Sequence, residues 1–232
     1  MGRGLIPNNW RKLWQLPLAQ DCVVCGAGSG DELLCPPCRA DLPALHECCP
    51  RCATPSGGGA VCGACLARPP HFDVTIAAWH YEFPCDRLIQ ALKYRARLPL
   101  AAFFAQALAA RIDHRVDLVV PMPLHRTRLA ERGFNPCVEI ARELARMTGN
   151  VLAAAGARRL RHTAPQTRLP FAERAANVRG AFACAADVRG RRVAVVDDVM
   201  TTGTTLDELA GTLKAAGAEA VENWVVARTL LE

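Results

Sequence analysis

The sequence predicts an α/β chain, a parallel sheet covered by helices on both faces, preceded by a cysteine-rich segment that binds metal. Three observations carry this. Runs that are apolar at every position, VDLVV at 116–120 and VAVV at 193–196, have the character of strands buried on both faces. They alternate with segments whose apolar residues recur at helical spacing, as in parallel sheets joined by crossover helices. Nine of the twelve cysteines crowd into positions 22 to 65.

The length of 232 residues suits one large domain or a core domain with an appendage. With 51% hydrophobic and 22% charged residues and no apolar run of the ~18 residues a spanning helix needs, the bulk of the chain is neither disordered nor membrane-spanning. The first twenty residues carry Arg11 and Lys12 inside their only weakly apolar stretch and lack a secretory core. A cytoplasmic, reducing location is therefore expected, which favours metal over disulfides for the cysteines.

In chain order, residues 1–20 form an expected amphipathic helix: Trp10, Leu13 and Trp14 share one face ahead of Pro17. Docking on its own domain is the preferred reading of that face, over membrane or partner contact. Residues 21–68 form a double zinc-ribbon-like region with four Cys-x-x-Cys knuckles: Cys22/Cys25, Cys35/Cys38, Cys49/Cys52 and Cys62/Cys65. Adding 27 to the first four positions gives the second four, so the metal-binding unit is repeated. Two thiolates of one tight turn reach the same tetrahedral ion, and two facing knuckles close a four-thiolate structural zinc site. Two such sites are expected, with zinc favoured over an iron–sulfur cluster or disulfides. Sequential pairing, 22/25 with 35/38 and 49/52 with 62/65, is the default. Cys48 could replace Cys49 as a ligand, His46 and His71 fall outside the period, and Cys85, Cys137 and Cys184 read as small core residues.

Arg68-Pro69-Pro70 closes this region, and 71–232 read as the α/β domain. Residues 72–83 have strand composition, 86–96 and 100–112 helical spacing, and 116–120 are a strand ended by Pro121-Met122-Pro123. Residues 134–147 are a helix, 193–196 a strand, 206–216 a helix and 220–227 the last strand.

Net charge is +6, but eight thiolates on two zinc ions would reduce it to about +2. Local charge says more: residues 156–192 hold nine arginines against Glu173 and Asp187, which favours an anionic partner over a merely solvated surface. The strand at 193–196 runs through Asp197 and Asp198 into Met200-Thr201-Thr202-Gly203-Thr204-Thr205 and a helix. A tight glycine turn, free amides at a helix start and threonine hydroxyls suit a phosphate. The two carboxylates would repel that phosphate, so they face sugar hydroxyls or a hard cation. No Gly-Lys-Ser/Thr ending is present, which excludes a Walker loop.

This string resembles the ribose-phosphate loop of type I phosphoribosyltransferases. With the knuckles in front, the chain from about residue 17 onward resembles the ComF family of competence-associated proteins, a zinc ribbon joined to a phosphoribosyltransferase domain. Pro121-Met122-Pro123-Leu124-His125 with Arg132-Gly133-Phe134-Asn135 is similar to the family's second block. Arg159, Thr163, Gln166, Arg174, Asn177 and Phe182 are similar to the third, and Pro136 and the doubled Cys48-Cys49 depart from the pattern. The resemblance implies binding of 5-phosphoribosyl 1-pyrophosphate with Mg. Asp197 and Asp198 would hold the ribose hydroxyls, and Thr201, Thr202, Gly203, Thr204 and Thr205 the 5′-phosphate. Leu124, His125, Arg126 and Arg159 would lie toward pyrophosphate, and 158–177 would close over the site as a hood. His125 and Arg174 are the candidate catalytic residues, with His125 equally readable as structural.

Two functions follow from the resemblance: a phosphoribosyltransferase of unassigned acceptor linked to DNA uptake, or a non-catalytic binder whose zinc part and basic hood engage single-stranded DNA or competence-machinery proteins. A structural zinc adaptor is a third reading, against which the intact acid pair and turn argue.

Overall fold

The structure, a computed structural model, describes residues 20–161 and 177–230. The expected helix at 1–20 (apart from Gln20), the candidate residues Thr163, Gln166 and Arg174, and most of the hood lie outside the described residues. The chain divides into two compact units at Asp41/Leu42. The expected boundary near residue 70 differs from this division, which puts the second pair of knuckles in the unit that holds the sheet.

The first unit contains β1 (Gln20–Asp21), antiparallel to β2 (Gly28–Gly30), and the short helix α1 (Pro36–Ala40). The second starts with the loop of the third knuckle, a 3-10 turn at Gly57–Gly59 and α2 (Gly63–Ala67). Then follow β3 (Val74–His80), α3 (Cys85–Arg95), α4 (Pro99–Ala109), β4 (Leu118–Pro121), α5 (Arg126–Arg132), α6 (Pro136–Thr148) and β5 (Val151–Leu152). A hairpin of β6 (Ala157–Arg159) and β7 (Phe182–Cys184) precedes β8 (Arg192–Met200), α7 (Thr204–Ala215) and β9 (Ala220–Arg228).

The sheet is five-stranded and parallel, in the order β3-β9-β8-β4-β5, as the apolar runs predict. Alternate residues face opposite ways along a strand. Leu118, Val120, Val193, Val195, Val221 and Val225 share one core with Leu206, Leu209, Ala210 and Leu213 of α7 and with Cys49, Cys52 and Cys65. The intervening Val119, Ala194, Val196, Trp224 and Val226 are buried too, so both faces are covered. Helices α4 and α6 pack on one another, and α6 also touches β4, β5 and β8.

One difference from the expected elements matters for function. Strand β8 continues past Val196 to Met200, because β9 keeps pairing with it (Asp197↔Val225, Met200↔Arg228), so the acid pair lies within a strand rather than beyond it. Its other neighbour, β4, stops at Pro121↔Val196. Asp197 and Asp198 are thus the first residues of β8 left open on the β4 side. From β4 the chain leads to β5 on one side, and β8 lies on the other. This is the topological switch point at which open α/β sheets form a crevice.

Candidate functional site

The crevice is a cavity of about 250 Å³. Of the residues singled out from sequence, Leu124, Arg159, Asp197, Asp198, Thr201, Gly203, Thr204 and Thr205 line it. Thr202, His125 and Arg126 do not.

Asp197 Oδ1 accepts from the backbone N–H of Asp198 at 2.9 Å and from the Cys137 thiol at 3.4 Å. Burial, with the charge of Asp198 adding to it, raises the Asp197 pKa to about 7, against the opposing charge of Lys93. Asp198 forms an ion pair with Lys93 Nζ at 2.7 Å. Burial pushes the Cys137 thiol well above its ordinary value, and both carboxylates push the same way. Cys137 enters on the first turn of α6, whose start is held by Asn135: its Oδ1 caps the Cys137 N–H and its Nδ2 donates to Met122 O, both at 3.0 Å. Pro136 takes the first helical position, where a missing N–H costs nothing. This departure from the family pattern therefore fits the helix start.

The turn after β8 depends on Gly203, which caps α7 at φ 81°. A Cβ there would meet Met200 Cε at 2.6 Å. The Thr202 and Thr204 hydroxyls share a hydrogen bond of 2.8 Å. The start of a twelve-residue helix, where the dipole's positive end faces out beside threonine hydroxyls, can receive an anion.

Lys93, Arg128, Arg132 and Arg159 also line the cavity, four cations against two carboxylates. The guanidinium of Arg159 lies 5.4 Å from the Phe182 ring centroid. His125 instead caps α5, its Nδ1 accepting from the Thr127 N–H at 3.3 Å. Arg128 and Arg132 of this helix line the cavity, and His125 and Arg126 do not. A second cleft of about 360 Å³ shares Lys93, Tyr94, Arg128 and Arg132 with the first.

Sequence reasoning missed Lys93, Cys137, Arg128 and Tyr94 as site residues. Lys93 carried a usable signal, a lysine among apolar residues at helical spacing in a chain with only three lysines.

The knuckles pair sequentially. The Sγ atoms of Cys22, Cys25, Cys35 and Cys38 lie within 4.8 Å of one another, as do those of Cys49, Cys52, Cys62 and Cys65. Sulfurs of Cys25 and Cys35 are 3.7 Å apart and those of Cys52 and Cys62 3.6 Å apart. A zinc–sulfur length of 2.3 Å gives a tetrahedron edge of about 3.8 Å, whereas a disulfide would need about 2.05 Å. Both clusters fit zinc. Cys48 lies outside the cluster, its thiol donating to His46 O at 3.4 Å. Among the described residues no helix is long and apolar enough to cross a membrane.

A double zinc ribbon domain model matches residues 13–66, and a phosphoribosyl transferase domain model residues 129–230. DNA utilization protein YhgH of Escherichia coli (strain K12) is 33% identical over 231 residues, covering 94% of this chain and 96% of that protein. Competence protein F of Haemophilus influenzae is 32% identical over 178 residues, covering 72% of this chain and 78% of that protein. Among solved structures, the allosteric regulatory enzyme of purine biosynthesis is similar at 22% identity and a TM-score of 0.43, covering 59% of this chain and 30% of that one.

Proposed function

Because the chain belongs to the ComF family, which joins a double zinc ribbon to a phosphoribosyltransferase domain, we propose that it binds 5-phosphoribosyl 1-pyrophosphate with magnesium in the crevice between β4 and β8. The observation that carries this reading is the acid pair Asp197/Asp198, set beside a hydroxyl-rich helix start in a cavity whose cations outnumber its acids. Such a site suits a ligand with a neutral diol between two anionic ends. The diol faces the carboxylates, the 5′-phosphate takes the 201–205 turn, and the pyrophosphate lies toward Arg128, Arg132 and Arg159.

The carboxylate oxygens of Asp197 and Asp198 suit a hard cation; the Cys137 thiol beside them does not. Magnesium, when bound with the ligand, supplies charge neutralisation for a departing pyrophosphate. Lys93 keeps the acid pair from raising its own charge cost before the ligand arrives. In turnover, displacement at the anomeric carbon releases pyrophosphate, and the protein contributes orientation and electrostatic stabilisation of both separating parts, with no covalent nucleophile required. The acceptor would approach through the adjoining cleft, where Tyr94 offers a ring under the Arg132 guanidinium at 5.4 Å. In the cell, we place this activity in the handling of DNA that the relatives' names describe, with single-stranded DNA and competence proteins as candidate partners.

Calorimetric titration of the magnesium complex of phosphoribosyl pyrophosphate tests the site. Wild type should bind, and Asp197→Asn/Asp198→Asn should lose at least tenfold in affinity; unchanged binding by the double variant would refute the assignment. Pyrophosphate release, screened over nucleobases, amines and single-stranded DNA, separates catalysis from binding alone.

A further inference from the structure

Arg228 ends β9 and is 2% exposed. Its guanidinium reaches two places that the sequence separates by more than a hundred residues. Toward the third knuckle, Nε donates to Cys52 O at 2.8 Å and Nη2 to Thr54 Oγ1 at 3.0 Å. Toward the threonine turn, Nη1 donates to Met200 O at 3.1 Å, to Thr201 O and to Thr229 O at 2.7 Å. Each of these partners is a neutral oxygen, so no carboxylate compensates this buried cation through them. A cation removed from water needs countercharge as well as hydrogen bonds. The four-cysteine centre beside it provides that charge, since four thiolates around one zinc ion leave a net charge of about −2.

A relay leads from arginine to sulfur. Cys52 Sγ and Thr54 Oγ1 are 3.3 Å apart. When the sulfur is a metal-bound thiolate, the Thr54 hydroxyl donates to it while accepting from Arg228. On the other side, Arg228 fixes two successive carbonyls, Met200 and Thr201, at the point where the chain leaves β8. Fixing those carbonyls sets the direction of the peptide units that open the turn. Packing supports the same link: Cys49, Cys52 and Cys65 share a core with Phe72, Met200 and Leu206, and Phe72 lies 3.8 Å from the Cβ position of Gly203.

We propose that Arg228 is a positioning residue that holds the Thr201–Thr205 turn in its anion-receiving geometry by anchoring it to the second four-cysteine centre, so that metal at that centre and anion on the turn favour one another. The consequence for function rests on the phosphoribosyl pyrophosphate reading; the mechanical coupling does not. The first centre belongs to the other compact unit and serves as an internal control.

Hydrogen exchange on the ligand-free, zinc-loaded full chain tests the coupling directly. Thr54→Val removes the hydroxyl, and with it both relay hydrogen bonds, and should speed exchange at residues 201–205 and 49–54 at least about fivefold, with the central amides of β8 and β9 unchanged. Arg228→Lys loses the planar fork that serves both sides and should speed the same segments at least tenfold. Unaltered exchange at 201–205 in folded Thr54→Val and Arg228→Lys would overturn the proposal. Reciprocity gives a readout that a merely structural arginine would not move. Saturating magnesium phosphoribosyl pyrophosphate should slow chelator-driven zinc loss from the second centre but not the first, and Thr54→Val should abolish that selectivity. Should wild type fail to bind this ligand, the functional reading falls while the exchange result still decides the coupling; binding that leaves zinc loss from both centres equally unaffected would overturn the coupling.

Discussion

Replacing Lys93 by methionine removes an ammonium that lies 2.7 Å from Asp198 Oδ1 while keeping a chain of similar length in a site only 19% exposed. The affected group is Asp197, already raised from 3.8 to about 7 by burial and by its acidic neighbour, with Lys93 opposing. In the wild type, affinity for the magnesium complex of phosphoribosyl pyrophosphate should therefore fall about tenfold per pH unit below neutrality, because a proton must leave Asp197 when the ligand binds. The stability of the free protein changes in the opposite sense. A carboxyl whose folded pKa is raised contributes stability that is complete below 3.8 and is lost as pH rises through about 7. Loss of a close opposite charge raises a carboxyl by about one to three pH units. Lys93→Met should then bind about 5- to 500-fold more weakly at pH 7 and recover as pH is raised by about one to three units. Calorimetry between about pH 5.5 and pH 10.5, with Asp197→Asn as the variant that lacks this titration, reads the midpoint. A loss of equal size at every pH would refute the reasoning and assign Lys93 to the ligand itself.

Other outcomes follow from the same geometry. Elemental analysis should find about two zinc per chain, still two in Cys48→Ser and one in Cys49→Ser. Gly203→Ala, at φ 81° with Met200 Cε 2.6 Å from the new Cβ, should destabilise by about 1–3 kcal/mol in denaturant melts and weaken ligand binding. Asn135→Ala removes the α6 cap and the Met122 tether and should cost about 2 kcal/mol by the same measurement. His125→Ala should cost about 1 kcal/mol as a lost cap, with pyrophosphate release unchanged; a selective loss of release would restore a chemical role.

The legible parts of the molecule were those written as local pattern. The 27-residue repeat carries the two metal clusters, the all-apolar runs carry the sheet, and the Asp-Asp and Thr-Gly-Thr string carries the crevice. What stayed hidden depends on partners far along the chain. Lys93 falls on the buried stripe of α3, and only the tertiary fold brings its ammonium to Asp198, more than a hundred residues on. Cys137 reads as a small core residue until the Asn135 cap aims α6 at Asp197. Arg228, one residue past an apolar strand, looks like an ordinary strand end; its role arises because the third knuckle and the threonine turn meet there. Strand β8 outran its apolar stretch because β9 supplies backbone partners to Met200 whatever the side chains are. The hairpin of β6 and β7 escaped notice because its two strands are three residues each and far apart in sequence.

The most direct test is a crystal structure of the full chain with magnesium and phosphoribosyl pyrophosphate. The account predicts the 5′-phosphate on the amides and hydroxyls of Thr201–Thr205 and the ribose hydroxyls on Asp197 and Asp198, with Lys93 displaced or shared. Ligand density elsewhere on the chain, with the acid pair still closed on Lys93, would contradict it.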